Sequence, residues 1–192
     1  MIELKNARFL GRDLMRDLIL EGDMAIDATA GNGHDALFLC RQVGEGGLVH
    51  VFDLQEEALG RTRARLEGEG LLHRAKLHLR SHAEMAEALE GEKRGAKAVL
   101  FNLGWLPGGD HQRTTRAESS VAAARAALSL LLPGGMALIC VYPGHAEGKR
   151  ELTALTALAE GLDPRRYNAL FSSFLNQSED SPKLIAVQRN AN

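Results

Sequence analysis

Apolar and polar positions alternate along this chain in two rhythms. Short apolar runs of period near two mark strands, and stretches of period near 3.6 mark helices. Residues 5–20 read as an amphipathic helix with Leu10, Leu14 and Leu18 on one side. Strands are predicted at Met24–Asp27, Leu48–Asp53, Ala75–Leu79, Ala96–Leu103 and Met136–Val141. Helices are predicted at His34–Gln42, Gln55–Glu69, Ala83–Leu89, Thr115–Leu132 and Glu147–Glu160. The alanine-rich helix over Thr115–Leu132 is expected to stop at Pro133-Gly134-Gly135. Residues 167–175 and 183–189 then read as two successive strands with no helix between them.

Strands alternating with helices predict an α/β fold, a mostly parallel sheet with helices on both faces. The closing pair lacks a crossover helix and is expected to be antiparallel. That makes a seven-stranded, Rossmann-like sheet with an antiparallel closing strand. No linker or repeat interrupts the alternation, so residues 1–192 are expected to form a single domain. In such sheets ligands bind beyond the C-terminal strand ends, at the switch in strand order. The residues just after each strand are therefore the candidates.

Composition narrows the classes. Hydrophobic content of 45% and charged content of 25% exclude disordered and collagen-like chains. No apolar run approaches the roughly 18 residues of a membrane helix. The opening stretch MIELKNARFLGRDLM carries charges where an export signal needs an apolar core. No membrane association and a cytoplasmic location are expected. Cys40 and Cys140 fit reduced thiols in or near the core. The seven histidines are scattered, and no metal is expected. A net charge of -2 gives no global basic field, so nucleic acid would need local patches. Arg8, Arg12 and Arg16 recur every four residues on the first helix, Arg113 and Arg116 follow the fourth strand, and Arg165 and Arg166 precede the sixth.

The stretch AIDATAGNGHDALFL joins the first strand to the second helix through Gly31-Asn32-Gly33. These glycines allow a tight turn and close approach of a ligand to the backbone. Asp53 lies 20 residues past Gly33, at a strand end, where a ribose-binding acid belongs. On spacing alone a nicotinamide cofactor fits too. Charge argues otherwise: Asp27 and Asp35 flank the turn, and no Lys or Arg is near it in sequence. A pyrophosphate about 4 Å from such carboxylates would be repelled, although a helix N-terminus otherwise favours one. A ligand with an ammonium and a sulfonium, S-adenosylmethionine, suits the turn better. Asp53 and Gln55 are candidates for its ribose, and Ser81 and His82, after the third strand, for its adenine edge.

The fourth strand ends at Asn102 and runs into LGWLPGGDH. Amino-group methyltransferases often place [ND]-P-P-[YFW] there; NLGW resembles it in its first and last members but lacks both prolines. An acceptor such as Asn102 would orient a neutral amine, Trp105 would stack on a base, and Asp110, His111 or Tyr142 would take a proton. Tyr142 and His145, after the fifth strand, border the same cleft, and Lys149 and Arg150 are placed to touch phosphates.

DATAGNGHD, FDLQ, NLGWLPGGDH and VYPGHAEGKRE together resemble a family of small class I methyltransferases long labelled rRNA methylases. That family includes the bacterial tRNA 5-(aminomethyl)-2-thiouridine methyltransferase. The resemblance covers nearly the whole chain. It implies methylation of the aminomethyl group on wobble uridine in the anticodon loop of tRNA. It also implies donor contacts from Asn32, Asp53, Gln55, Ser81 and His82. Trp105 stands where tyrosine is more usual in the family, so any hydroxyl role would fall elsewhere. A splayed anticodon base beside Trp105 costs little, because it is already unpaired. Fold does not fix substrate, so another RNA or a small amine remains open, as do an NAD-dependent oxidoreductase, a non-catalytic binding module, and a homodimer pairing through the first helix or the closing strands.

Overall fold

The computed structural model describes residues 6–104 and 114–191. The elements are, in chain order, α1 (Ala7–Leu18), β1 (Met24–Asp27), α2 (His34–Val43), β2 (Leu48–Asp53), α3 (Glu56–Gly68), β3 (Ala75–Leu79), α4 (Met85–Ala88), β4 (Ala96–Asn102), α5 (Ala117–Leu130), β5 (Leu131–Val141), α6 (Ala146–Glu160), β6 (Tyr167–Ser172) and β7 (Lys183–Arg189).

The strands form one sheet in the order β3-β2-β1-β4-β5-β7-β6. The chain runs outward from β1 through β2 to β3, then returns to place β4 on the other side of β1. That reversal is the switch in strand order. The closing strands are antiparallel to each other, as the missing crossover predicts. β7 also inserts antiparallel against β5, which leaves β6 at the edge and parallel to the rest. Among the described residues, β7 is thus the one strand that runs against the rest of the sheet.

Alternation along the central strands divides the core. Met24, Ile26, Phe52, Val99 and Phe101 pack to one face, beneath α4, α5 and α6. Ala25, Val49, Val51, Leu100 and Leu138 pack to the other, beneath α1, α2 and α3. The Asn6 side chain starts α1 by accepting from the Phe9 amide at 3.1 Å. Ala7, Gly11 and Met15, four apart, form its buried stripe. A side chain at Gly11 would start 3.3 Å from Leu138 Cδ1, so glycine lets α1 lie close over β5 and β7. No helix among the described residues is long and apolar enough to cross a membrane.

Several boundaries differ from expectation. α5 ends at Leu130, and β5 already begins at Leu131 and runs through Pro133-Gly134-Gly135. The register jumps from Ala96↔Leu131 to Ala98↔Met136, so Pro133 and the left-handed Gly134 (φ 75) sit in a bulge. The motif interrupts a strand rather than capping a helix. The predicted helix at 83–89 is a single 3-10 turn, His82–Glu84, followed by the four residues of α4. The sixth strand stops at Ser172, three residues earlier than expected.

Candidate active site

A cleft of about 860 Å³ opens beyond the C-terminal ends of β1, β2, β4 and β5, at the strand switch. Its volume lies within the range of small-molecule and cofactor sites. Gly31, Asn32, Asp35, Asp53, Gln55, Ser81, His82, Asn102, Arg116, Tyr142 and His145 all line it. Asp27 and Gly33, also expected at the donor, are not among the lining residues. Trp105, Asp110, His111 and Arg113 lie outside the described residues.

The glycine turn is built for packing as much as for a ligand. Gly31 (φ 52) and Gly33 (φ 74) both adopt left-handed backbone. A side chain on Gly33 would meet the backbone of Thr62 at 2.8 Å, so this glycine lets α2 start against α3. The Gly31 amide donates to Asp53 Oδ2 at 3.1 Å, and the Gln55 amide to Asp53 Oδ1 at 2.9 Å. Each carboxylate oxygen keeps a lone pair directed elsewhere, enough to accept a pair of vicinal hydroxyls. His82 Nδ1 donates to the Ala28 carbonyl at 3.2 Å, and its ring meets Phe101 edge-on. Burial holds this imidazole below its ordinary pKa, against the opposing pull of that carbonyl and of Asp53. Ser81 Oγ accepts from the Ala83 amide at 3.1 Å.

The local electrostatics correct one expectation. Cations do stand near the turn, brought from distant segments. Arg61 Nη1 donates to Asn32 Oδ1 at 3.0 Å, and Arg65 Nε to the Asn32 carbonyl at 2.7 Å, both from α3. Arg8 and Arg12 reach from α1 to Asp35. The lack of neighbouring Lys and Arg in the sequence therefore does not argue against a phosphate here. Nor do Arg8, Arg12 and Arg16 form an open stripe for RNA, since Arg16 pairs with Asp13 at 2.6 Å. Arg165 pairs with Asp163 and Arg166 lies over Tyr167, at the start of β6 and so at the sheet end opposite the cleft.

Asp35 is filled from all sides. Arg8 Nη2 (3.2 Å) and Arg12 Nε (2.6 Å) bond Oδ1, while Arg8 Nε (3.3 Å) and Asn102 Nδ2 (2.5 Å) bond Oδ2. A carboxylate has about four acceptor sites, so the protein itself uses the whole complement. Asp27 is fully buried beneath the turn and accepts from the Thr29 amide at 3.1 Å. Burial first, and then the Asp35 charge, push its carboxyl up to about 8.

The opposite wall carries Asn102, Tyr142 and His145. The Asn102 amide N–H donates to Thr29 Oγ1 at 2.8 Å. Its side-chain Oδ1 is buried with no hydrogen-bond partner among the described residues. Burial and the neighbouring Cys140 thiol push the Tyr142 phenol above its ordinary pKa. His145 caps α6, its Nδ1 accepting from the Gly148 amide at 3.1 Å. Gly104 and Thr115 are joined by two hydrogen bonds, which holds the end of β4 close to the start of α5. The Ala117 amide donates to Glu147 at 2.9 Å, tying the starts of α5 and α6 together.

Arg8, His34, Leu54, Thr115 and Asp180 line the cleft without having been singled out as its contacts. Leu54 directly follows Asp53 and was open to the strand-end rule. Asp180 sits in the connection between β6 and β7, which no strand-end rule reaches. Lys149 pairs with Asp180 at 3.3 Å, and Arg150 with Glu147 at 3.6 Å.

The strand order and the cleft define a Rossmann-like α/β protein with the fold of class I methyltransferases. A family model described as "Putative rRNA methylase" matches residues 49–188, and the chain belongs to that family. An Arabidopsis thaliana protein, the chloroplastic tRNA (mnm(5)s(2)U34)-methyltransferase, is 35% identical over 166 residues. That match covers 82% of this chain and 60% of the relative, so the chain spans about three fifths of its length. A Clostridium thermocellum structure described as a "putative rRNA-methylase" superposes with a TM-score of 0.93 at 34% identity, covering 97% of this chain and 99% of that one. A Streptococcus mutans structure, described as a "putative methyltransferase" in complex with SAH, gives 0.87 at 29% identity, with the same coverages.

Proposed function

We propose that the chain works as one domain that transfers a methyl group from S-adenosylmethionine to a neutral amine, the 5-aminomethyl group of wobble uridine in tRNA. The observation that carries the reading is the juxtaposition of a nucleoside-sized cleft with Asn102 in its wall, whose buried side-chain oxygen has no partner among the described residues. Membership in the family and the likeness to a protein named for this reaction support it.

The residues present fit the donor. Asp53 retains capacity for both ribose hydroxyls, Leu54 offers an apolar surface beside it, and His82 and Ser81 border the adenine side. The Gly31-Asn32 turn admits the methionine end. When bound, the donor supplies an electrophilic methyl group on a positively charged sulfur. The amine lone pair forms the new N–C bond as the S–C bond breaks, its electron pair staying on sulfur, and the product ammonium sheds one proton.

The protein's part is positioning. Asn102 Oδ1 accepts one amine N–H and leaves the lone pair to face the methyl group, an alignment that supplies much of the acceleration. Trp105 is proposed to stack on the uracil ring, with His145 beside it. Arg116, at the start of α5, and Arg113 are proposed to hold phosphates of the anticodon loop, with affinity falling as salt rises. Asp110 or His111 are the proposed proton acceptors, because the raised pKa of the Tyr142 phenol disfavours its phenolate.

The test is nucleoside mass spectrometry of tRNA from cells lacking the gene. Loss of the methylated wobble nucleoside, with accumulation of its unmethylated aminomethyl precursor, is expected. Unchanged tRNA would remove this acceptor from consideration.

A further inference from the structure

The side-chain amide of Asn102 can be placed two ways round, and the two exchange a donor for an acceptor at each position. The reaction tolerates one of them. With Nδ2 toward the amine, the site would present an N–H to the lone pair and occupy the electrons that attack the methyl group. With Oδ1 toward the amine, it accepts an N–H and leaves the lone pair open.

Asp35 decides between them. Its Oδ2 lies 2.5 Å from Asn102 Nδ2, and a carboxylate only accepts. The reversed amide would set two oxygens face to face at that distance. The carboxylate itself is clamped by Arg8 and Arg12 from α1, while the Asn102 backbone is anchored to Thr29. What remains open on the side chain is Oδ1, buried and without a partner among the described residues. We propose that Asp35 is a positioning residue: it fixes the Asn102 amide with its carbonyl oxygen presented to the acceptor amine, and it does not bind the methyl donor. The inference rests on the methyl-transfer reading above. It reassigns a residue whose place at the start of α2 suggested the methionine end of the donor, because all four of its acceptor sites are filled by Arg8, Arg12 and Asn102.

The experiment combines one spectrum with one variant. In the wild-type protein, the Asn102 side-chain amide protons are followed by 1H–15N NMR, assigned through the signal lost in Asn102→Ala. One proton bonded to a carboxylate is expected well downfield of its partner, and the pair should draw together in Asp35→Asn. With saturating S-adenosylmethionine and tRNA, Asp35→Asn should lower kcat roughly 10- to 100-fold, the scale of a misaligned reactant. Its donor Kd, by calorimetry, should stay within about threefold of wild type. An unchanged kcat, or a donor Kd weakened more than about tenfold, overturns the proposal. If Asp35→Asn does not fold, the wild-type spectrum decides, and Asn102 protons without the downfield shift overturn it. If wild-type protein shows that shift but methylates no tRNA, the parent reading fails and takes the catalytic role of Asp35 with it.

Discussion

The two walls of the cleft differ in how much of their hydrogen-bonding capacity the protein itself uses. On the wall formed by the ends of β1, β2 and β3, several polar groups are already tied down. Asp53 holds two backbone amides, His82 holds the Ala28 carbonyl, Asn32 is gripped by Arg61 and Arg65, and Asp35 is full. On the wall formed by the ends of β4 and β5, Asn102 keeps a buried carbonyl oxygen open. A template whose groups are fixed in advance binds a ligand with little further ordering. An unsatisfied buried acceptor costs free energy until a donor arrives, which suits Asn102 to the aligning role proposed for it. The first wall is suited to hold, the second to align.

The sharpest way to break this contrast is to remove the aligning group. Asn102→Ala should reduce kcat about 100-fold, a typical cost of a misplaced reactant, while donor affinity measured by calorimetry changes little. A parallel loss of donor affinity would mean the two walls do not divide the work. Asp53→Ala should do the reverse. Losing a charged acceptor of two hydroxyls costs about 1.5–3 kcal/mol, or roughly 10- to 100-fold in donor Kd. Turnover at saturating donor should remain within a few-fold of wild type by the same methyl-transfer assay. A selective fall in kcat with unaltered Kd would put Asp53 on the aligning side.

A smaller effect on the cleft, though a clear one on stability, is expected from Gly33→Ala. The residue sits at φ 74, and a Cβ would meet the Thr62 backbone at 2.8 Å. Strained φ and close approach together should cost about 2–3 kcal/mol in urea unfolding. Gly22→Ala is the control: φ is 91 but nothing lies within 4 Å, so only the conformational cost of about 1 kcal/mol applies. Equal losses in the two variants would show that α2–α3 packing is not what Gly33 provides.

How legible each wall was in the sequence follows from where its groups come from. The holding wall uses residues at strand ends, and period and glycine spacing located Asp53, Ser81 and His82 without a structure. Its wiring was not legible. Arg8 and Arg12 reach Asp35 across 27 and 23 residues, and Arg65 reaches Asn32 across 33. No local pattern records such pairings, so a turn that is acidic along the chain is surrounded by cations in space. The β5 boundary failed for a related reason. Pro133-Gly134-Gly135 reads as a helix stop, and only the register against β4 reveals a bulge. For the aligning wall, Asn102 was legible as a strand-end polar residue. The orientation of its amide depended on Asp35, 67 residues away.

Asp27 gives the smallest expected effect on the cleft, because it lies beneath the holding wall and touches no ligand space. Its consequence is a pH slope. The folded protein holds the Asp27 proton up to about pH 8, while the unfolded chain releases it near the ordinary 3.8. Stability from this group is therefore full below about pH 4 and is lost as pH rises toward 8. Asp27→Asn keeps an oxygen for the Thr29 amide and has no proton to lose. Its stability relative to wild type should climb between about pH 4 and pH 8 and then level, as followed by urea unfolding across that range. His50, pushed down to about 4 by burial and by His78, works in the opposite sense in acid, but it is present in both proteins and cancels in the difference. Methyl transfer should be unchanged at saturating substrates. A flat difference would mean that Asp27 is ionised in the folded state, so that the holding wall rests on a buried charge rather than a neutral acid.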